Sequence, residues 1–161
     1  MRRVALIAAL AAGIAWLWWP SEERRIRARL DELAAAATGV DNESNLDRIA
    51  RLAVLTRGLT REAQLDLGAG RPPITGREAV AALASRPTPA GGWTVRLEDV
   101  RVVLADARVA ATVDATVLFE EVVGPGRPWP DAREVRFEMR QVDGVWLVDR
   151  AAVIDAVERP R

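Results

Sequence analysis

Residues 107–120 read ARVAATVDATVLFE, and the alternation within them decides the fold class. Val109, Ala111, Val113, Ala115, Val117 and Phe119 fall on one side of an extended chain, with Thr112, Asp114 and Thr116 on the other. A period of two is the mark of a strand with one covered face. Outward from this strand the same pattern recurs. Val95 and Leu97 alternate after Trp93, the phase slips at Glu98-Asp99, and Val100, Val102 and Leu104 resume one residue later. A single inserted residue is a β-bulge, which bends its strand. Downstream, residues 124–130 (GPGRPWP) form a rigid turn. Val135, Phe137 and Met139 then continue the apolar face, opposite Glu134, Arg136, Glu138 and Arg140. Asp143-Gly144 is a hairpin signal, and residues 145–157 make the last strand.

Before the strands the period is helical. Ser21 is placed to cap a helix running to about Ala37, with Ile26, Leu30, Leu33, Ala34 and Ala37 on one face and Gly39 as its stop. A capping box at Ser44-Asn45-Leu46-Asp47 opens a second helix, whose expected apolar face is Leu46, Ile49, Ala50, Leu52 and Ala53. Ala63 to Leu67 reads as a short strand ending in the Gly68–Pro73 loop. Thr75 and Glu78 suggest another capping box, for a short third helix that Pro87 prevents from continuing. Helices on one face of a mainly antiparallel sheet make an α+β domain, and 161 residues fit one such domain.

Composition narrows the chemistry. Cysteine, histidine and tyrosine are absent, so disulfides, thiolate or imidazole metal sites and a histidine base are excluded. No metal, cofactor or catalytic residue is expected. Basic and acidic residues both number 23, every basic one arginine, and no net field draws in nucleic acid. The alternating row Glu134, Arg136, Glu138 and Arg140 reads as a solvated sheet face. Trp93, Trp129 and Trp146 read as packing anchors. Gly68-Ala-Gly70 lacks the third glycine of a dinucleotide turn and reads as a loop. Asn42-Glu-Ser44 matches a glycosylation acceptor and is explained by capping.

The N-terminus is a separate unit. Arg2 and Arg3 precede an unbroken apolar run, Val4 to Trp19, closed by Pro20. As a helix it would reach about 24 Å against a hydrocarbon core of about 30 Å, with Trp16, Trp18 and Trp19 at the interface and Arg3 snorkelling at the other end. Residues 1–20 are therefore expected to be a transmembrane anchor and residues 21–159 the folded domain. A cleaved export signal ending near Gly13-Ile14-Ala15 and a buried core helix are the competing readings. The short charged start favours a domain outside the cytoplasm, periplasmic or extracellular. Arg24, Arg25, Arg27 and Arg29 pull the other way.

This order, with ITGREAV at residues 74–80 leading into the third helix and QVDGVWLV at 141–148 making the last hairpin, resembles the nuclear transport factor 2-like superfamily. That superfamily has a cystatin-like fold and includes SnoaL-like polyketide cyclases and ketosteroid isomerase. The resemblance spans residues 21–158 and implies a cone of curved sheet and helices around an apolar pocket. Leu55, Leu67, Val113, Phe119, Phe137, Met139 and Trp146 would line it. Aligned backward from Gly76, the isomerase's catalytic Asp falls on Leu67, with Asp66 one residue away and so on the opposite face of a strand. Its oxyanion Tyr, and the His and Tyr of scytalone dehydratase chemistry, have no counterpart. Asp114, Arg140 and Asp155 echo the Asp–Arg–Asp set of epoxide hydrolases of this fold, but Asp114 and Arg140 should face away from the cone. In layout the chain is similar to single-span proteins of type IV secretion assemblies and those beside mycobacterial lipid-import systems. The resemblance and the missing groups together imply a non-enzymatic binding or assembly module tethered to a membrane through residues 4–19. A protein partner or a second copy would meet it through the sheet. The alternative is a small-molecule enzyme or carrier of the SnoaL or ketosteroid isomerase type.

Overall fold

The computed structural model describes residues 21–68, 70–85, 92–105, 107–121 and 131–154. Helix α1 is Glu22–Ala37, α2 Asn45–Arg57 and α3 Arg77–Ala84. The strands are β1 (Leu59–Asp66), β2 (Ile74–Thr75), β3 (Trp93–Leu104), β4 (Ala110–Glu121), β5 (Asp131–Val142) and β6 (Val145–Val153). They form one sheet in the order β2-β1-β6-β5-β4-β3. All neighbours are antiparallel except β1 and β6. β1 is longer than the expected short strand, and its parallel place beside β6 has no local signature. Residues 4–19, Trp129 and Asp155 lie outside the described residues. Among those described, no helix is long and apolar enough to cross a membrane.

The period-two faces are found as read along the middle of β4 and β5, while Val109 and Phe119 at the two ends of the run are exposed. Val113 is fully buried, and Ala111, Ala115, Val135 and Met139 are buried beside it. Glu134, Arg136, Glu138 and Arg140 are exposed on the convex side. The slip at Glu98-Asp99 is a bulge: Glu98 pairs with Thr116 and Arg101 with Asp114, leaving one extra residue in β3, and Asp99 takes a φ of 52°. A second bulge places an extra residue in β6 between Val148 and Arg150. Such bulges increase local twist and curl the sheet toward the helices.

α1 lies across the concave face with Ile26, Leu30 and Leu33 buried. With Val113, Met139, Trp146 and Val148 they make the core, each such side chain contributing roughly 1.5–3 kcal/mol. Both ends of α1 are tied down. At its start Ser21 caps the Arg24 amide at 3.3 Å, and the Trp146 indole N–H donates to Glu22 at 2.7 Å. That bond, followed by the nearby Arg25, holds the Glu22 carboxyl below its usual range. At its end, carbonyls that no helical amide reaches find other donors. The Trp93 indole N–H donates to Ala37 at 2.8 Å, and Arg51 donates to Ala36 at 3.1 Å.

Two expectations are corrected. Ser44 caps α2 as its box predicts, donated to by the Asp47 amide at 3.1 Å. Yet the helix is turned away from its expected face: Leu46 is 76% and Ile49 65% exposed, and Ala50 and Ala53 are exposed beside them. Of that face only Leu52 is half-buried; Arg51 and Leu55 turn inward beside it, with Arg51 reaching the ends of α1 and α3. α3 is capped by Gly76, at a φ of 96°, with no side-chain cap, so Thr75 and Glu78 form no box. Glu78 accepts from Arg77 instead, and that hydrogen bond lowers its pKa.

Candidate functional site

Side-chain size along α1 falls from Ile26, Leu30 and Leu33 to the run Ala34–Ala37. α3 likewise offers Ala81 and Ala84 to the sheet. Methyl groups do not reach across the concave face, so the cone is filled around the first half of α1 and empty around the second. The space left is a cavity of about 380 Å³, within the range of small-molecule sites. Leu30, Leu33, Ala34 and Ala37 of α1 roof it with Leu55, Val80, Ala81, Leu83 and Ala84. Leu59, Leu65, Val95, Leu97, Val117, Val135, Phe137, Val148, Ala151 and Val153 form its floor. Leu67 and Arg133 complete the lining.

Among the described residues the wall is apolar apart from Arg133, which pairs with Asp131 at 3.0 Å. No carboxylate, hydroxyl or amide side chain of a described residue lines the cavity. The carboxyls held low by ion-pair hydrogen bonds all lie elsewhere. Glu43 is bound by Arg51, and Asp114 is bound by Arg136, whose guanidinium is pushed up in turn. Among the described residues, no group of three potential metal ligands gathers anywhere.

Of the residues expected around the pocket, Leu55, Leu67 and Phe137 line this cavity. Val113, Met139 and Trp146 do not. They share the right face but pack beneath the bulky half of α1, where the cone is filled. Phe119 lies toward the edge of the sheet, 39% exposed, its ring centroid 6.3 Å from that of Trp93. Strand period alone gives the face and not the height along the cone. The α1 size gradient and the alanines of α3 were the missed signal.

Asp66 and Leu67 take opposite sides, as consecutive residues of an extended chain do. Leu67 borders the cavity, whereas Asp66 accepts from the Gly68 amide at 3.0 Å and faces Arg150 at 3.7 Å. Asp114 and Arg140 sit on the convex face, bound to Arg136 and Asp149 respectively.

Comparison with known proteins gives a fold and no more. No family model and no curated protein matches the sequence. Solved structures do. An NTF2-like protein with a cystatin-like fold from Novosphingobium aromaticivorans is similar at a TM-score of 0.66 and 19% identity, over 92% of this chain and 90% of that one. A candidate scytalone dehydratase from the same organism superposes at a TM-score of 0.64 and 14% identity, over 86% and 89%. A candidate aromatic ring hydroxylase, also from N. aromaticivorans, follows at 0.62 and 18%, over 84% and 88%. The chain therefore has the cystatin-like fold of the nuclear transport factor 2-like proteins.

Proposed function

We propose that this domain is a non-enzymatic binding module that takes an uncharged apolar small molecule into its cone, held at a membrane by residues 4–19. One observation carries the binding reading: a cavity of about 380 Å³ in which Arg133 is the only polar residue among the described residues of the wall. Apolar surface gains by leaving water, and an apolar occupant leaves no buried polar group unpaired here. Acid–base catalysis needs a group within hydrogen-bond reach of the reacting atom. The fold's base position carries Leu67, and Asp66 is engaged on the other side of the strand. Two similar structures bear enzyme names, and a shared fold transfers no activity by itself. The tether rests on the run from Val4 to Trp19.

Titration of the full chain with the uncharged fluorophore N-phenyl-1-naphthylamine tests the cavity. Saturable enhancement is expected, and it should be lost in Ala37→Leu with Ala84→Leu, which places branched side chains in the void. Enhancement that survives this filling, in a protein whose circular dichroism is unchanged, would place the probe elsewhere and overturn the reading.

A further inference from the structure

The geometry points to one end of the domain, built from the start of α1 and the tips of the β3–β4 and β5–β6 hairpins, as a surface that rests on a lipid bilayer. The inference goes beyond the tether proposed above and depends on it. Only Pro20 and Ser21 separate Trp19 from the first residue of α1, so an inserted apolar run would bring that end to the bilayer.

The start of α1 is locked to the β5–β6 hairpin. Arg25 donates to the Gly144 carbonyl at 3.1 Å and Arg29 to the Trp146 carbonyl at 3.1 Å, and Trp146 donates to Glu22. The Gln141 amide donates to the Val109 carbonyl at 2.8 Å, which brings the second tip alongside. The strand ends beside these turns present apolar side chains: Val109 is 50%, Val142 41% and Val145 42% exposed, the last two flanking the exposed Asp143-Gly144 turn. β-branched apolar residues at hairpin tips, in water, lose the benefit of burial; at a headgroup boundary they regain it. Arg24 and Arg108 are exposed at this end, where arginine suits an anionic lipid surface. Arg25 is paired with Glu22, and the described carboxylates exposed here are Glu23 and Asp143. Cavity residues on α1 lie between Leu30 and Ala37, toward its far end. A domain seated this way turns its cavity away from the bilayer, toward whatever delivers or removes the ligand.

Because the chain has no cysteine, single labels can be placed without background. The full chain carries a bimane label at Val109→Cys, Val142→Cys or Val145→Cys, with Ile49→Cys on the exposed side of α2 as comparison. Each protein is reconstituted into phosphatidylcholine–phosphatidylglycerol vesicles containing nitroxide-labelled lipid, after circular dichroism shows that it is folded. Quenching at the three tip positions and its absence at Ile49→Cys is the expected result. Vesicle-bound protein with unquenched tips would overturn the docking surface and leave the tether standing. Quenching at Ile49→Cys alone would overturn it in favour of contact through α2. Protein that stays in the supernatant would remove the tether and this inference together.

Discussion

Arg51 and Glu43 form a buried ion pair, 2.7 Å from Nε to Oε1, with their side chains only 9% and 8% exposed. The same guanidinium donates to the carbonyls of Ala36 and Ala84, each at 3.1 Å, and so joins α2 to the ends of α1 and α3. Arg51→Met should therefore cost about 1–3 kcal/mol, since it leaves Glu43 with only Arg48, 3.7 Å away, and two carbonyls without donors. Glu43→Gln, which keeps an acceptor, should cost less. Urea denaturation of both variants measures the difference; an Arg51→Met protein as stable as the parent would show that the pair does not hold the helices.

Stability should fall with acid in a defined direction. Glu43, held low by the Arg51 hydrogen bond, and Glu22, held low by the Trp146 bond, have folded pKa values below their ordinary 4.5. Groups depressed in this way stabilise the fold fully above the unfolded value and lose that contribution as the pH drops through the folded one. The urea midpoint should be level near neutrality and decline below about pH 4.5. Glu43→Gln should decline less steeply. An unchanged slope would mean that Glu43 is not depressed in the folded state.

Gly39 leaves no room for a side chain. A Cβ there would stand 2.7 Å from the Trp93 ring, which is itself held by the Ala37 carbonyl and by paired backbone bonds with Gly39. Gly39→Ala should push the indole aside at a cost of about 1–3 kcal/mol. Tryptophan emission should shift to the red as Trp93 is exposed. Unaltered emission and stability would mean that the ring adjusts without loss.

The two faces of β5 should respond oppositely. Phe137 lines the cavity and packs against the core, while Glu138 stands exposed on the convex side. Phe137→Asp should unfold the domain, because it buries an unpaired carboxylate in place of a ring. Glu138→Ala should change stability by about 0.5 kcal/mol or less. Thermal melts followed by circular dichroism decide it; a more damaging Glu138→Ala would reverse the assignment of the faces.

Much of the fold was open to reading because its rules are local. Residues 107–120 could be assigned a face without knowing their neighbours, since adjacent side chains of an extended chain must point oppositely. The slip at Glu98-Asp99 announced the bulge for the same reason, and Ser21 and Ser44 marked helix starts through bonds that span three residues. Tertiary structure decided the rest. α2 carries apolar residues on two sides, and their spacing alone did not say which turns inward; the carbonyls of Ala36 and Ala84, distant in sequence, settle it through Arg51. The parallel pairing of β1 with β6 likewise joins segments far apart in the chain. Whether Phe137 borders a void and Met139 a filled core depends on which side chains face them across the cone. Leu30 and Leu33 reach far enough to close it at one end, and the methyls of Ala34, Ala37, Ala81 and Ala84 leave it open at the other.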